Sequence, residues 1–99
     1  MASTIFLVPS ARRTDLDVAL SDDVVARQSR KIREAAAMGG PAAELYVLIE
    51  GPPEAIARAE GLLAPIGKKL APPDAEALLQ RFRDEDESAS AGMGLFFTE

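Results

Sequence analysis

The segment that most constrains the fold of this chain runs from Glu44 to Leu63. Residues 45–49 form an unbroken apolar run of strand formers. Gly51 permits a tight turn, and Pro52 or Pro53 suits the first position of a helix, where a missing N–H costs nothing. Apolar residues then recur at the spacing of one helical face: Ala55, Ile56, Ala59, Leu62 and Leu63. The segment therefore predicts a strand, a turn and a helix. Because the strand is apolar on both faces, we expect cover on both, or cover on one and a partner on the other.

The residues before this unit predict one strand and one helix. Residues 4–8 indicate a buried strand that ends at Pro9, and residues 10–20 have no clear period, which predicts a polar connection. Ser21 is a suitable N-cap, so that acidic residues 22 and 23 fall in a first helical turn. The predicted helix runs through residues 24–38 and ends at Gly39, which is followed by Gly40 and Pro41.

The residues after this unit predict an edge strand, a helix and a last strand. Residues 66–70 suit a short edge strand guarded by Lys68 and Lys69. A helix with its first residues at Pro72 and Pro73 has one apolar face, made of Ala75, Leu78, Leu79 and Phe82. Residues 84–94 are acidic and then small, which is typical of a flexible linker. Residues 95–98 contain two adjacent phenylalanines and are predicted to return to the sheet as a terminal strand.

Helices and strands therefore alternate along the chain, which predicts a single α+β domain over residues 1–99. The expected architecture is a ferredoxin-like two-layer sandwich of about four strands, with helices mainly on one face. The alternative is a small flavodoxin-like α/β fold with a parallel sheet.

The amino-acid composition excludes several kinds of chemistry. Cysteine, histidine and tryptophan are absent, so disulfides, thiolate nucleophiles, Ser–His pairs and the preferred ligands of zinc are excluded. We expect no metal site and no cofactor. The net charge of −5, without a concentrated basic face, argues against nucleic-acid binding. No apolar run reaches the roughly 18 residues that cross a bilayer, so we expect no membrane association and a cytoplasmic protein.

Six residues are candidates for ligand binding. Arg12, Arg13, Arg27 and Arg30 have the side-chain chemistry to hold a phosphate or carboxylate; their structural alternative is a solvated helix face. Gly51 places a backbone N–H near a predicted helix start, and Tyr46 points to the opposite side of its strand from Leu45. A plain strand-to-helix turn and ordinary packing are the corresponding structural alternatives.

Two functions are compatible with these residues. The first is a small non-catalytic module that self-associates and binds a protein partner or a small anionic ligand, and we expect a homo-oligomer. It is favoured by the missing catalytic residue types and by the half-covered sheet that the pattern predicts. The alternative is a small cofactor-independent enzyme, an isomerase or lyase, in which Glu50 or Glu54 transfers a proton and the arginines anchor the substrate. The sequence leaves open whether the chain is catalytic.

Overall fold

The computed structural model describes the backbone of residues 2–97 and the side chains of residues 2–85. Short 3₁₀ helices cover Ser10–Arg12 and Ala35–Met38. The remaining elements, in chain order, are β1 (Ala2–Pro9), α1 (Arg13–Leu20), α2 (Asp23–Ala26), β2 (Ser29–Glu34), β3 (Glu44–Gly51), α3 (Pro53–Leu63), β4 (Lys68–Lys69) and α4 (Pro72–Phe97).

The four strands form one sheet in the order β2-β3-β1-β4. Each neighbouring pair is antiparallel: β1 with β3, β1 with β4, and β2 with β3. The predicted α+β class is therefore confirmed. The sheet has the expected number of four strands, but one of them is β2, where a helix was expected, and the predicted terminal strand is not among them. The alternative of a flavodoxin-like parallel sheet is wrong, because none of the described strand pairs is parallel.

Helices cover both faces of the sheet. On one face, Phe6, Val47 and Ile49 pack against apolar residues of α1, α2 and α3. On the other face, Ile5 and Leu48 pack with Ala35 and Met38 of the second 3₁₀ helix and with α4. Three of the four α-helices lie on one face, as expected, but the second 3₁₀ helix and α4 add cover on the other face that a two-layer sandwich does not have. The reason is the apolar character of both sides of β1 and β3, which demands cover on both.

The strand–turn–helix unit over residues 44–63 is confirmed. α3 begins at Pro53, with Pro52 as its N-cap residue. Ala55, Ile56, Ala59 and Leu63 are buried, and the partly buried Leu62 packs against the same cluster. Burial of this apolar face, at about 25 cal/mol per Å², holds the helix on the sheet.

The helix predicted over residues 24–38 is wrong. A capped helix does begin near the predicted position, but its N-cap is Asp22 and not Ser21, and α2 ends at Ala26 after four residues. Residues 29–34 then pair with β3 as a strand, because tertiary pairing overrides the helix propensity of Arg and Lys. The predicted stop is confirmed: Gly39 takes the left-handed conformation, with φ of 78°, directly after the second 3₁₀ helix.

The polar connection predicted over residues 10–20 is also wrong in its second half. Residues 13–20 form α1, which buries Leu16, Ala19 and Leu20. These three positions have the i, i+3, i+4 spacing of one helical face. The surrounding charged residues lie on the solvent side and conceal this short apolar stripe.

The C-terminal part of the chain agrees with the sequence as far as Phe82. The edge strand is confirmed as β4, and the predicted face of α4 packs through buried Leu78 and Phe82. Beyond residue 84 the backbone remains helical to Phe97, where a linker and then a strand were expected. Thr98 and the side-chain packing of Phe96 and Phe97 lie outside the described residues.

Candidate functional site

The arginines that were predicted to bind an anion lie near opposite ends of β3. Arg12 and Arg13 follow the end of β1, where Pro9 pairs with Glu44. Arg30 pairs with Ile49, five residues further along β3, which is roughly 17 Å at the rise of a strand. The structure therefore does not bring the four arginines together into one anion clamp.

Arg12, Arg13 and Arg30 already have partners within the chain. Arg12 Nε contacts Asp15 Oδ2 at 2.7 Å, and Arg13 Nε contacts Asp17 Oδ1 at 3.3 Å. Arg30 Nη1 donates to the carbonyl oxygen of Leu20 at 3.1 Å. These contacts are made along α1 and to its end, so they stabilise local structure.

The turn between β3 and α3 is closed by a side chain. Gly51 is buried, and a Cβ atom there would collide with Gln28 Oε1. Close packing against Gln28 explains the glycine. Glu50 is half-buried in β3 and faces Ser3 and Ser29 in the neighbouring strands, whereas Glu54 is exposed in the first turn of α3.

Tyr46 belongs to the core of the α4 face. Its side chain is 8% exposed and packs in the same cluster as Leu48, Leu78 and Phe82. A Cβ atom added to Gly40 would collide with the Tyr46 hydroxyl. Tyr46 therefore packs as a core residue, with its ring fitted under the loop that leads into β3.

A charged pair that the sequence did not reveal joins α2 to α3. Arg58 Nε and Nη2 donate to Asp22 Oδ2 at 2.7 Å and Oδ1 at 2.6 Å. Asp22 Oδ2 also accepts from the backbone N–H groups of Val24 and Val25, as an N-cap does. The hydrogen bonds from Arg58 and then from the backbone lower the pKa of Asp22 from 3.8 to about 2, against the opposing effect of partial desolvation.

A second charged pair joins α3 to β4. Lys69 Nζ lies 2.7 Å from Glu60 Oε2 and lowers the pKa of Glu60. The buried hydroxyl of Thr4 lies close enough to Glu60 to lower the pKa of that carboxyl further, although the two groups do not have the geometry of a hydrogen bond.

Grooves on the described surface lie along β4 and α4. One of about 290 Å³ is lined by Ile5, Leu70, Ala75 and Leu79, among others. A shallow depression of about 220 Å³ includes Arg81, whose Nη1 donates to the carbonyl oxygen of Met38 at 2.5 Å. Neither of these, nor the two grooves beside β4, is lined by Glu50, Glu54 or a predicted arginine anchor.

Two further properties concern only the described part of the chain. No helix there combines the length and the apolar character that crossing a membrane requires. No three acidic side chains there converge as a metal site would need.

The longest open strand edge in the described sheet belongs to β2. Its six residues pair with β3 on one side, and the strand order places β2 at the end of the sheet. β4, at the opposite end, has only two residues. We call the unpaired side of residues 29–34 the outer edge of β2. Such an edge presents backbone donors and acceptors to which another strand can pair.

The side chains of β2 divide between the two faces of the sheet. Ile32 packs against the core under α1, α2 and α3, and Arg30 and Glu34 share that face by strand alternation. Arg33 is on the α4 face, where its Nε lies 2.8 Å from Glu85 Oε1 and its Nη1 donates to the carbonyl oxygen of Ile32 at 2.9 Å. The outer edge of β2 is therefore basic on the α4 face and carries both charges on the other.

Comparison of the chain with protein-family models, with curated proteins and with solved structures gives no match.

Proposed function

We propose that this chain is a small non-catalytic α+β module with a ferredoxin-like fold that self-associates, its protein partner being a second copy. The fold assignment is supported by the element order. When α1 and α2 are counted as one connection, the chain follows the β-α-β-β-α-β plan as far as β4, with α4 added after it.

The observation that carries this proposal is the open outer edge of β2. A strand that is paired on one side leaves a row of N–H and C=O groups to which a further strand adds by backbone hydrogen bonds. β2 is six residues long, and every residue in it except Ser29 has a large side chain. Its edge is thus long enough for specific pairing, and its side chains are able to select the partner strand.

The faces of the sheet give less support to self-association than the sequence suggested. Both are covered by helices, and the exposed large hydrophobic residues of the described part are Val18 and Val24. An interface that buries an open apolar face is therefore not favoured. Edge-to-edge pairing needs no such face, because its affinity comes from the backbone and from cross-strand pairs.

The alternative functions have weaker support from the geometry. A small anionic ligand would need arginines that converge, whereas Arg12 and Arg13 are far from Arg30 along the sheet. An enzyme would need Glu50 or Glu54 beside a concave site, and no groove described above includes either. The non-catalytic module is therefore preferred to the isomerase or lyase.

Multi-angle light scattering over a micromolar concentration series tests self-association. We expect a mass that rises toward twice 10.5 kDa. Hydrogen exchange of the same samples locates the interface: peptides that contain residues 29–34 gain protection as the concentration rises, while peptides that contain residues 66–70, at the β4 edge, serve as the control. A constant mass of 10.5 kDa contradicts the proposal. A dimer with unchanged exchange in residues 29–34 contradicts the assignment to this edge.

A further inference from the structure

We infer that the two copies join through antiparallel pairing of β2 with β2, in the register that places Ile32 opposite Ile32 of the other copy. This inference rests on the proposed self-association and specifies its geometry. The resulting dimer has a continuous sheet of eight strands with the two-fold axis through the Ile32 pair.

Symmetry restricts the registers that are available. Two identical strands that pair side by side and antiparallel are related by a two-fold axis perpendicular to the sheet. That axis keeps each face of the sheet on the same side, so residues opposite one another must point to the same face. Residues of one strand that point to the same face are an even number of positions apart, so the two residue numbers of each opposed pair must differ by an even number. For a strand over residues 29–34, registers centred on Arg30, Lys31, Ile32 or Arg33 satisfy this condition and pair three or more residues of each copy.

Charge selects one of these four registers. Centring on Lys31 places two lysines directly opposite each other, and centring on Arg30 or on Arg33 does the same with two arginines. Like charges in directly opposite positions destabilise a sheet. Centring on Ile32 pairs the two isoleucines and, on the same face, places Arg30 opposite Glu34 twice. This register therefore has one apolar pair and two pairs of opposite charge, which balance the two pairs of Lys31 with Arg33 on the α4 face, whereas each of the other registers has a like-charge pair and no pair of opposite charge.

The existing contacts of these side chains are compatible with the pairing. Arg30 uses Nη1 for the carbonyl oxygen of Leu20, and a guanidinium has further N–H groups with which to reach a carboxylate. On the α4 face the register places Lys31 opposite Arg33. Glu85 lies 2.8 Å from Arg33 and offsets that positive charge, and Lys31 also has an interaction of its own within the chain.

A single introduced cysteine tests the register, because the natural chain has none. In Ile32→Cys the two thiols are directly opposite, with Cα atoms about 4.5–5.5 Å apart, which is within the range that a disulfide spans. We expect most of the protein to become a covalent dimer under mild oxidation, and this product to be lost when oxidation is done in urea. In the control Arg30→Cys the cysteines are four residues out of register, roughly 13 Å apart along the strand, and should not react. A mixture of Arg30→Cys with Glu34→Cys should cross-link.

Charge reversal gives a readout that does not depend on oxidation. Arg30→Glu replaces two attractive pairs with two repulsive ones, so we expect the dissociation constant of the dimer to rise roughly tenfold or more. The double variant Arg30→Glu with Glu34→Arg restores both pairs and should return the constant close to that of the natural chain. Arg27→Glu is the matched control, since it makes the same charge change at an exposed residue outside β2. Circular dichroism confirms that each variant is folded.

The outcomes separate this inference from the proposed function. A monomer at all concentrations overturns both. A dimer in which Arg30→Cys, Lys31→Cys or Arg33→Cys cross-links and Ile32→Cys does not overturns the register and leaves self-association standing. A dimer in which none of these cysteines cross-links overturns the use of β2. Failure of the double charge variant to recover affinity overturns the pairing of Arg30 with Glu34.

Discussion

Replacing Phe82 by alanine tests whether α4 contributes to the stability of the domain. Phe82 is 2% exposed and packs with Ile5, Tyr46 and Leu48, on the sheet face opposite α3. The sequence predicts helices mainly on one face of the sheet, so packing of α4 on the face opposite α3 separates the observed architecture from the expected one. Removing the ring leaves a cavity between α4 and the sheet.

The expected cost follows from the burial of the ring. Truncation of a buried phenylalanine to alanine lowers the free energy of unfolding by about 3–5 kcal/mol. With an m-value near 1.5 kcal/mol per molar urea, the midpoint of unfolding falls by roughly 2–3 M. Arg83→Ala is the control, because residue 83 is the exposed neighbour of Phe82 in α4 and its truncation should change the midpoint little.

Urea unfolding followed at two wavelengths provides the assay. Tyr46 is the only tyrosine and the chain has no tryptophan, so its near-ultraviolet circular dichroism reports on the cluster that contains Phe82. The far-ultraviolet signal reports on the whole backbone. We expect both transitions to move together to lower urea in Phe82→Ala. An unchanged midpoint at both wavelengths would refute the docking of α4 on this face.

Three further substitutions test local features. Gly40→Ala forces a Cβ atom into the Tyr46 hydroxyl, so overpacking should lower the free energy of unfolding by about 1–3 kcal/mol, and an unchanged urea midpoint would count against this contact. Gly39→Ala strains a residue with φ of 78° and should cost about 1–2 kcal/mol by the same assay, whereas Gly39→Asn should cost less. Arg58→Met should lower Tm at pH 5. Because the pKa of Asp22 is lowered from 3.8 to about 2, the pair stabilises the fold above pH 3.8, and the difference in Tm from the natural chain should shrink as the pH falls from 3.8 to 2. A difference that persists at pH 2 would contradict the role of Asp22.

Elements with a strong local signal were predictable from the sequence. The apolar run of β3, the prolines before α3 and the left-handed Gly39 each depend on neighbours within a few residues. β2 was not predictable in the same way. Its charged residues around Ile32 are weak evidence for a strand, and its Arg and Lys residues favour a helix. What makes residues 29–34 a strand is pairing with β3, 11 to 21 residues further along the chain.

The candidate site was harder to predict than the fold. The sequence places Arg27 and Arg30 on one predicted helix with a shared face, but Arg30 lies in β2, so this part of the predicted anion site is wrong. An open edge depends on strand order, which a single sequence does not reveal. The pairing of Asp22 with Arg58 joins residues 36 positions apart, and no local pattern indicates it.

The order of the strands has a consequence for synthesis. β1 is the first strand made, yet both of its neighbours come later: Pro9 pairs with Glu44 and Phe6 with Lys69. At about 5–20 residues per second, an apolar strand made for burial on both faces waits roughly 2–7 s for β3 to be translated. Once β3 has been made, its hairpin with β2 closes a much shorter loop than its pairing with β1. Kinetic measurements on substitutions at Val8 and Val47 should therefore show contacts at Val47 forming first. β1, a central strand of the finished sheet, is thus synthesised before its neighbours and joins the sheet after the β2–β3 hairpin has formed.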